Sequence, residues 1–168
     1  MTKTIIALAL FGLAALADAQ TIQGRWKLLA AEDMRADGSV ARLPWGKNPV
    51  GAIVVQGGHC YVQIMSSDVP TFTAATPSVS EQMSAALLST YIAYSGPCTI
   101  DEAQGRVDLR VTAAWRPGYA ENQTRYFLVE GDTLYFGPTA RIRTDPPWDP
   151  STIAAGSFTR RLTLERAP

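Results

Sequence analysis

The sequence predicts an all-β fold, a single up-and-down antiparallel β-barrel of about eight strands with one short α-helix and two long loops at its mouth. Three observations predict it. Short runs with period-two alternation follow one another between turn residues, only one stretch has helical spacing, and the first and last runs, Gly24-Arg25-Trp26-Lys27-Leu28 and Leu162-Thr163-Leu164-Glu165-Arg166, are suited to pair and close the sheet on itself.

The 168 residues suit one domain with a core of useful size. Apolar residues make up 46% and charged residues 18%, with 15 basic residues against 15 acidic ones. So even a balance gives no electrostatic attraction for nucleic acid or for an acidic membrane. Residues 1–19 read as a signal peptide, with Lys3, an uncharged run from Thr4 to Ala17 and an A-x-A site at Ala17-Asp18-Ala19. The run is about 14 residues long, short of the roughly 20 that span a bilayer, so no stable membrane insertion is expected after cleavage. The barrel domain is then 20–168 and its location periplasmic or secreted. An oxidising compartment favours a disulfide between Cys60 and Cys98, the alternative being two buried thiols that pack as small hydrophobes.

In chain order, Gly24 to Asp33 begins as a strand with Trp26, Leu28 and Ala30 on one face. Met34 to Pro49 loses its periodicity and collects turn residues; with Leu43 and Trp45 in it, this long loop is a candidate lid. Val50–Val55 and Cys60–Met65 are strands joined by a hairpin at Gly57-Gly58, where paired glycines supply positive φ. Ser78 to Ser89 has helical spacing, with Ser80 as cap and Met83, Leu87 and Leu88 as a narrow apolar stripe. Tyr91 to Ile100 returns to strand, edged or bent at Pro97. Pairing Ile64 with Tyr94 sets Cys60 opposite Cys98, so the apolar faces and the cysteines agree on one register. Val107, Leu109, Val111 and Ala113 alternate with polar residues as a half-buried strand. Gln123–Val129 and Leu134–Phe136 follow, joined through Gly131-Asp132. Residues 137–156 form a second loop around Trp148, the other candidate lid, and Phe158–Arg166 ends the chain with Leu162 and Leu164 inward.

With these elements in place, Gly24-x-Trp26 on the first strand resembles the G-x-W signature of the lipocalin superfamily, and Arg166 resembles the basic residue that packs across that tryptophan. More specifically, the chain is similar to the small bacterial and fungal lipocalin-like domain family through Gly24-Arg25-Trp26-Lys27-Leu28, Gly58-His59-x-x-Val62-Gln63-Ile64-Met65, Tyr91-Ile92-Ala93-Tyr94 and Leu164-Glu165-Arg166. The resemblance covers essentially Gln20 to Arg166. It implies a barrel closed by Trp26 and Arg166 and, loosely, the binding of apolar molecules, without fixing a ligand. Cys60, Cys98 and the proline-rich loop near Trp148 depart from the family pattern, so the shape of the mouth does not carry over.

His59 is the single histidine and sits in a turn, where a side chain is usually solvated; a Ser-His-Asp triad would have to use it. With one histidine and two cysteines suited to pairing, no zinc ligand set is left, and neither a metal nor a cofactor is expected. Arg125 alternates with Phe127 and Val129, so it faces the core if they do. There it would need a carboxylate such as Glu32 or a ligand. If Thr124, Tyr126 and Leu128 face inward instead, Arg125 belongs to the surface.

The function that follows is an exported protein that holds a small apolar or amphipathic molecule in the barrel, lined by Val62, Ile64, Tyr94, Leu109, Phe127 and Phe136, with Arg125 orienting a polar end. An isomerase- or cyclase-type enzyme working on a hydrophobic substrate in the same cavity is the alternative, since such catalysis needs shape and a few polar contacts and no triad. A structural envelope protein whose barrel is filled by its own side chains is the third.

Overall fold

The computed structural model describes residues 21–69, 81–115, 119, 121–138 and 158–168. Among these the elements run β1 (Gly24–Met34), β2 (Val40–Arg42), β3 (Val50–Gln56), β4 (His59–Met65), α1 (Glu81–Thr90), β5 (Tyr91–Asp101), β6 (Arg106–Arg110), β7 (Ala113–Ala114), β8 (Asn122–Glu130), β9 (Thr133–Gly137) and β10 (Thr159–Arg166). The order β1-β3-β4-β5-β6-β8-β9-β10 is antiparallel throughout and β10 returns to β1, so eight strands form a closed barrel. The short β2 flanks the end of β1, and β7 pairs with β5. Closure follows the predicted ends, with Trp26 opposite Arg166 and Leu28 opposite Leu164.

Three local expectations change. The β1–β10 register shifts between Leu28 and Ala30, where a bulge exposes Leu29 and turns Ala31 and Asp33, in place of Ala30, toward the interior. One extra residue reverses the phase of everything after it. The β4–β5 pairing is set two residues from the expected one: Val62 faces Tyr94, Ile64 faces Ile92 and Cys60 faces Gly96. Because the slip is by two, every side chain keeps its face. The Cys60–Cys98 disulfide forms on the diagonal, its Cα atoms 5.9 Å apart. Finally, the strand expected to run through Ala113 breaks at Val111-Thr112 into β6 and β7, and Ala113 is exposed.

Residues at that break explain two sequence features. The Cys98 N–H donates to the Gly58 carbonyl at 2.8 Å, so the nitrogen of Pro97 points the opposite way, toward the gap between β6 and β7. Its missing N–H therefore costs no ladder bond. A Cβ on Gly96 would collide with the Arg110 carbonyl oxygen, so only glycine lets the two backbones approach there.

The hairpin at Gly57-Gly58 has φ of 58° and 74°, the doubly positive conformation that paired glycines allow. Helix α1 is observed, but Leu88, expected on its apolar stripe, is 52% exposed. Ser80 and the side chains of Met83 and Leu87 lie outside the described residues.

The interior has two zones. Toward the Trp26 end, Ile22, Trp26, Ile53, Val55, Val107, Leu134 and Leu164 are fully buried and fill the barrel. The other end, under the β1–β3 connection, is hollow.

Candidate functional site

At the filled end the Arg166 guanidinium lies over the Trp26 indole, 4.2 Å from the ring centroid, and donates to the carbonyls of Gln23 and Thr21, each at 3.2 Å. The indole N–H donates to the Ile22 carbonyl at 2.8 Å. The indole N–H and both terminal nitrogens of the guanidinium are thus bonded while the flat surfaces stack, which makes this end a plug. His59 belongs to the same end, exposed beside the Gly57-Gly58 turn and far along β4 from the hollow.

The hollow end is organised by Asp33, which the bulge in β1 turns inward. Its side chain is 3% exposed and accepts from Arg160 Nε at 2.7 Å, Arg160 Nη2 at 3.0 Å and Arg42 Nε at 2.6 Å. Burial pushes the carboxyl up. The hydrogen bonds and charges of Arg160 and Arg42 together outweigh that, and Asp33 sits below the ordinary carboxylate range. Arg160 also carries Trp45 on its face, 4.6 Å from guanidinium carbon to ring centroid. Trp45 reaches this position from a turn in which the Gly46 N–H donates to the Leu43 carbonyl at 3.1 Å, with Pro44 at the second position. Gly46 has φ of 77° and packs against Asp68.

Beneath Trp45 is a cavity of about 170 Å³ lined by Val62, Ile64, Ile92, Tyr94, Tyr119, Arg125, Phe136, Gly137, Pro138, Arg160 and Leu162. Of the residues expected to line it, Val62, Ile64, Tyr94, Arg125 and Phe136 do. Leu109 and Phe127 are buried on the inner face but belong to the packed core outside the lining. Trp45 is buried over the cavity as a lid residue would be, whereas Leu43 is 40% exposed and is not part of the lining. Trp148 lies outside the described residues. Sequence reasoning missed Arg160, Asp33 and Ile92. Arg160 was open to alternation, being in phase with inward Leu162 and Leu164; Asp33 was legible only with the β1 bulge, which no residue pattern announces.

Arg125 shares the inner face with buried Phe127 and Val129, which resolves its phase. Glu32, the expected carboxylate partner, pairs instead with Arg161 at 2.8 Å, because the bulge gives the inward position to Asp33. Arg125 donates to the Thr124 carbonyl at 2.9 Å and to the Gln123 side-chain oxygen, both uncharged, and lines the same cavity as the Tyr94 phenol. Among the described residues no carboxylate forms an ion pair with it. Burial holds Tyr94 above the ordinary tyrosine range, against the opposing pull of Arg125, so its hydroxyl is a neutral donor at physiological pH. Tyr94 also packs on Tyr119, ring centroids 5.6 Å apart.

A second recess, about 400 Å³ and wide open, lies against the outer face of the sheet, where Ala52, Val54, Tyr61, Gln63, Ala93 and Ser95 point outward. It is larger than the interior cavity, but no charged side chain among the described residues lines it. Among the described residues no helix is long and apolar enough to cross a membrane.

Fold and site together define a closed antiparallel barrel, plugged at one end and holding a mixed apolar and cationic cavity at the other. The family model described as lipocalin-like domain matches residues 23–165, most of the chain, and the protein belongs to that family. No curated protein matches the sequence.

Proposed function

We propose that the protein is exported and holds a small apolar or amphipathic molecule in its barrel. The observation that carries this reading is the cavity of about 170 Å³ under Trp45, with apolar walls and the guanidinium groups of Arg125 and Arg160 in its lining. A chamber near 150 Å³ with apolar walls is large enough for benzene, so this one exceeds the space of a few trapped waters. Membership of the lipocalin-like family supports it, since that barrel is suited to small hydrophobic ligands. The disulfide fits an oxidising compartment and supports export, in keeping with residues 1–19 as a leader and 20–168 as the working domain.

Native mass spectrometry of the protein purified from its source tests both halves. The expected result is a chain beginning at Gln20 that carries a small molecule released on denaturation. A ligand-free protein that also fails to take up any small hydrophobic probe refutes the binding role.

A further inference from the structure

Among the described residues two guanidinium groups line the cavity, and their circumstances differ. Arg160 has both oxygens of Asp33, and Arg42 shares that carboxylate. Among the described residues Arg125 donates to the Thr124 carbonyl and the Gln123 amide oxygen and has no carboxylate. A half-buried guanidinium with neutral partners keeps its charge, and leaves donor capacity among its five N–H groups. The described walls of the cavity are therefore net cationic, and the charge of Arg125 sits beside a neutral phenol able to donate as well.

We propose that the cavity is a site for a small monocarboxylate, whose anionic end is taken by Arg125 and the Tyr94 hydroxyl and whose apolar body lies against Val62, Ile64, Ile92 and Phe136. This rests on the reading of the barrel as a small-molecule binder. Guanidinium and phenol offer N–H and O–H donors to two carboxylate oxygens, a charge-assisted arrangement stronger than the same contacts to an alcohol. An ammonium end would meet like charge and, among the described residues, no lining carboxylate. Volume sets the body: about 170 Å³ admits one aromatic ring or a chain of roughly eight carbons, not a long-chain lipid.

Calorimetric titration of the full mature protein at pH 7.5 with octanoate, octan-1-ol, octylammonium and hexadecanoate tests this. Octanoate is expected to bind at least tenfold more tightly than octan-1-ol, with octylammonium weakest and hexadecanoate no better than octanoate. Arg125→Gln should lower octanoate affinity at least tenfold and octan-1-ol affinity by a much smaller factor. Tyr94→Phe should lower octanoate affinity by a smaller factor. Equal binding of octanoate and octan-1-ol by the unaltered protein overturns the carboxylate assignment while leaving the barrel a binder. A preference for hexadecanoate overturns the size limit. No binding of any probe to protein freed of small molecules refutes both this proposal and the reading beneath it. Should Arg125→Gln fail to fold, the comparison of charged and neutral probes on the unaltered protein decides.

Discussion

Replacing Asp33 with asparagine should destabilise the protein by about 3–5 kcal/mol, the usual cost of removing one partner from a buried ion pair. The carboxylate is 3% exposed and accepts three charge-assisted hydrogen bonds, and an amide in its place offers one acceptor oxygen and turns an N–H₂ toward a guanidinium. At about 2–4 °C per kcal/mol for a domain of this size, the melting temperature should fall by roughly 6–20 °C. The two arginines should not contribute equally. Arg160 binds through Nε and Nη2 with its side chain 35% exposed, whereas Arg42 binds through Nε alone at 62% exposure. A double-mutant cycle should therefore give Asp33–Arg160 the larger coupling, and place Asp33–Arg42 within the roughly 0–1 kcal/mol of exposed pairs. The pH dependence has a definite sign. The folded-state pKa of Asp33 is depressed, so its stabilisation is present above the unfolded value near 3.9 and is lost as pH falls through the lower folded value. Urea titrations at pH 7 and toward pH 2 should show unaltered and Asp33→Asn proteins converging at the acid end. A difference that is constant with pH, or an Arg42→Ala cost equal to that of Arg160→Ala, would refute the reasoning.

Reduction of the Cys60–Cys98 bond, which spans a sequence separation of 38, should cost about 3–4 kcal/mol by loop-closure entropy. Scanning calorimetry with and without reductant should read this as roughly 6–16 °C, and a shift under about 2 °C would show that the reduced chain keeps its β4–β5 pairing when unfolded. Trp26→Ala should cost about 3–5 kcal/mol in urea titration. Arg166→Lys should cost about 1–2 kcal/mol although it keeps the charge, because an ammonium cannot stack flat on the indole while reaching two carbonyls.

Closure was legible because it depends on side chains with few alternatives: a tryptophan that must be buried on β1 and an arginine opposite it on β10. Alternation placed Val62, Ile64, Tyr94 and Phe136 inward, and a register two residues off did no harm, since a shift of two preserves the face. What escaped was everything decided by a single-residue irregularity. The β1 bulge moved the inward acid from position 32 to 33, and with it the pairings of Arg160 and Arg125; the interruption after Arg110 split one expected strand into two. Periodicity carries no mark of either, because a bulge is fixed by how the partner strands fit together. Volume was equally out of reach. Leu109 and Phe127 have the pattern of lining residues, and only the packing of opposite walls decides which inward side chains meet and which leave a space.

The seam between β1 and β10 joins the two extremes of the chain, Arg166 reaching the Gln23 carbonyl across 143 residues. During synthesis the ring cannot be completed until Thr159–Arg166 has emerged, and until then the growing sheet keeps two unpaired edges and an uncovered indole. Contacts so distant in sequence form late and slowly. The ring therefore locks only when Thr159–Arg166 docks on Gly24–Met34, after every strand between them has been made.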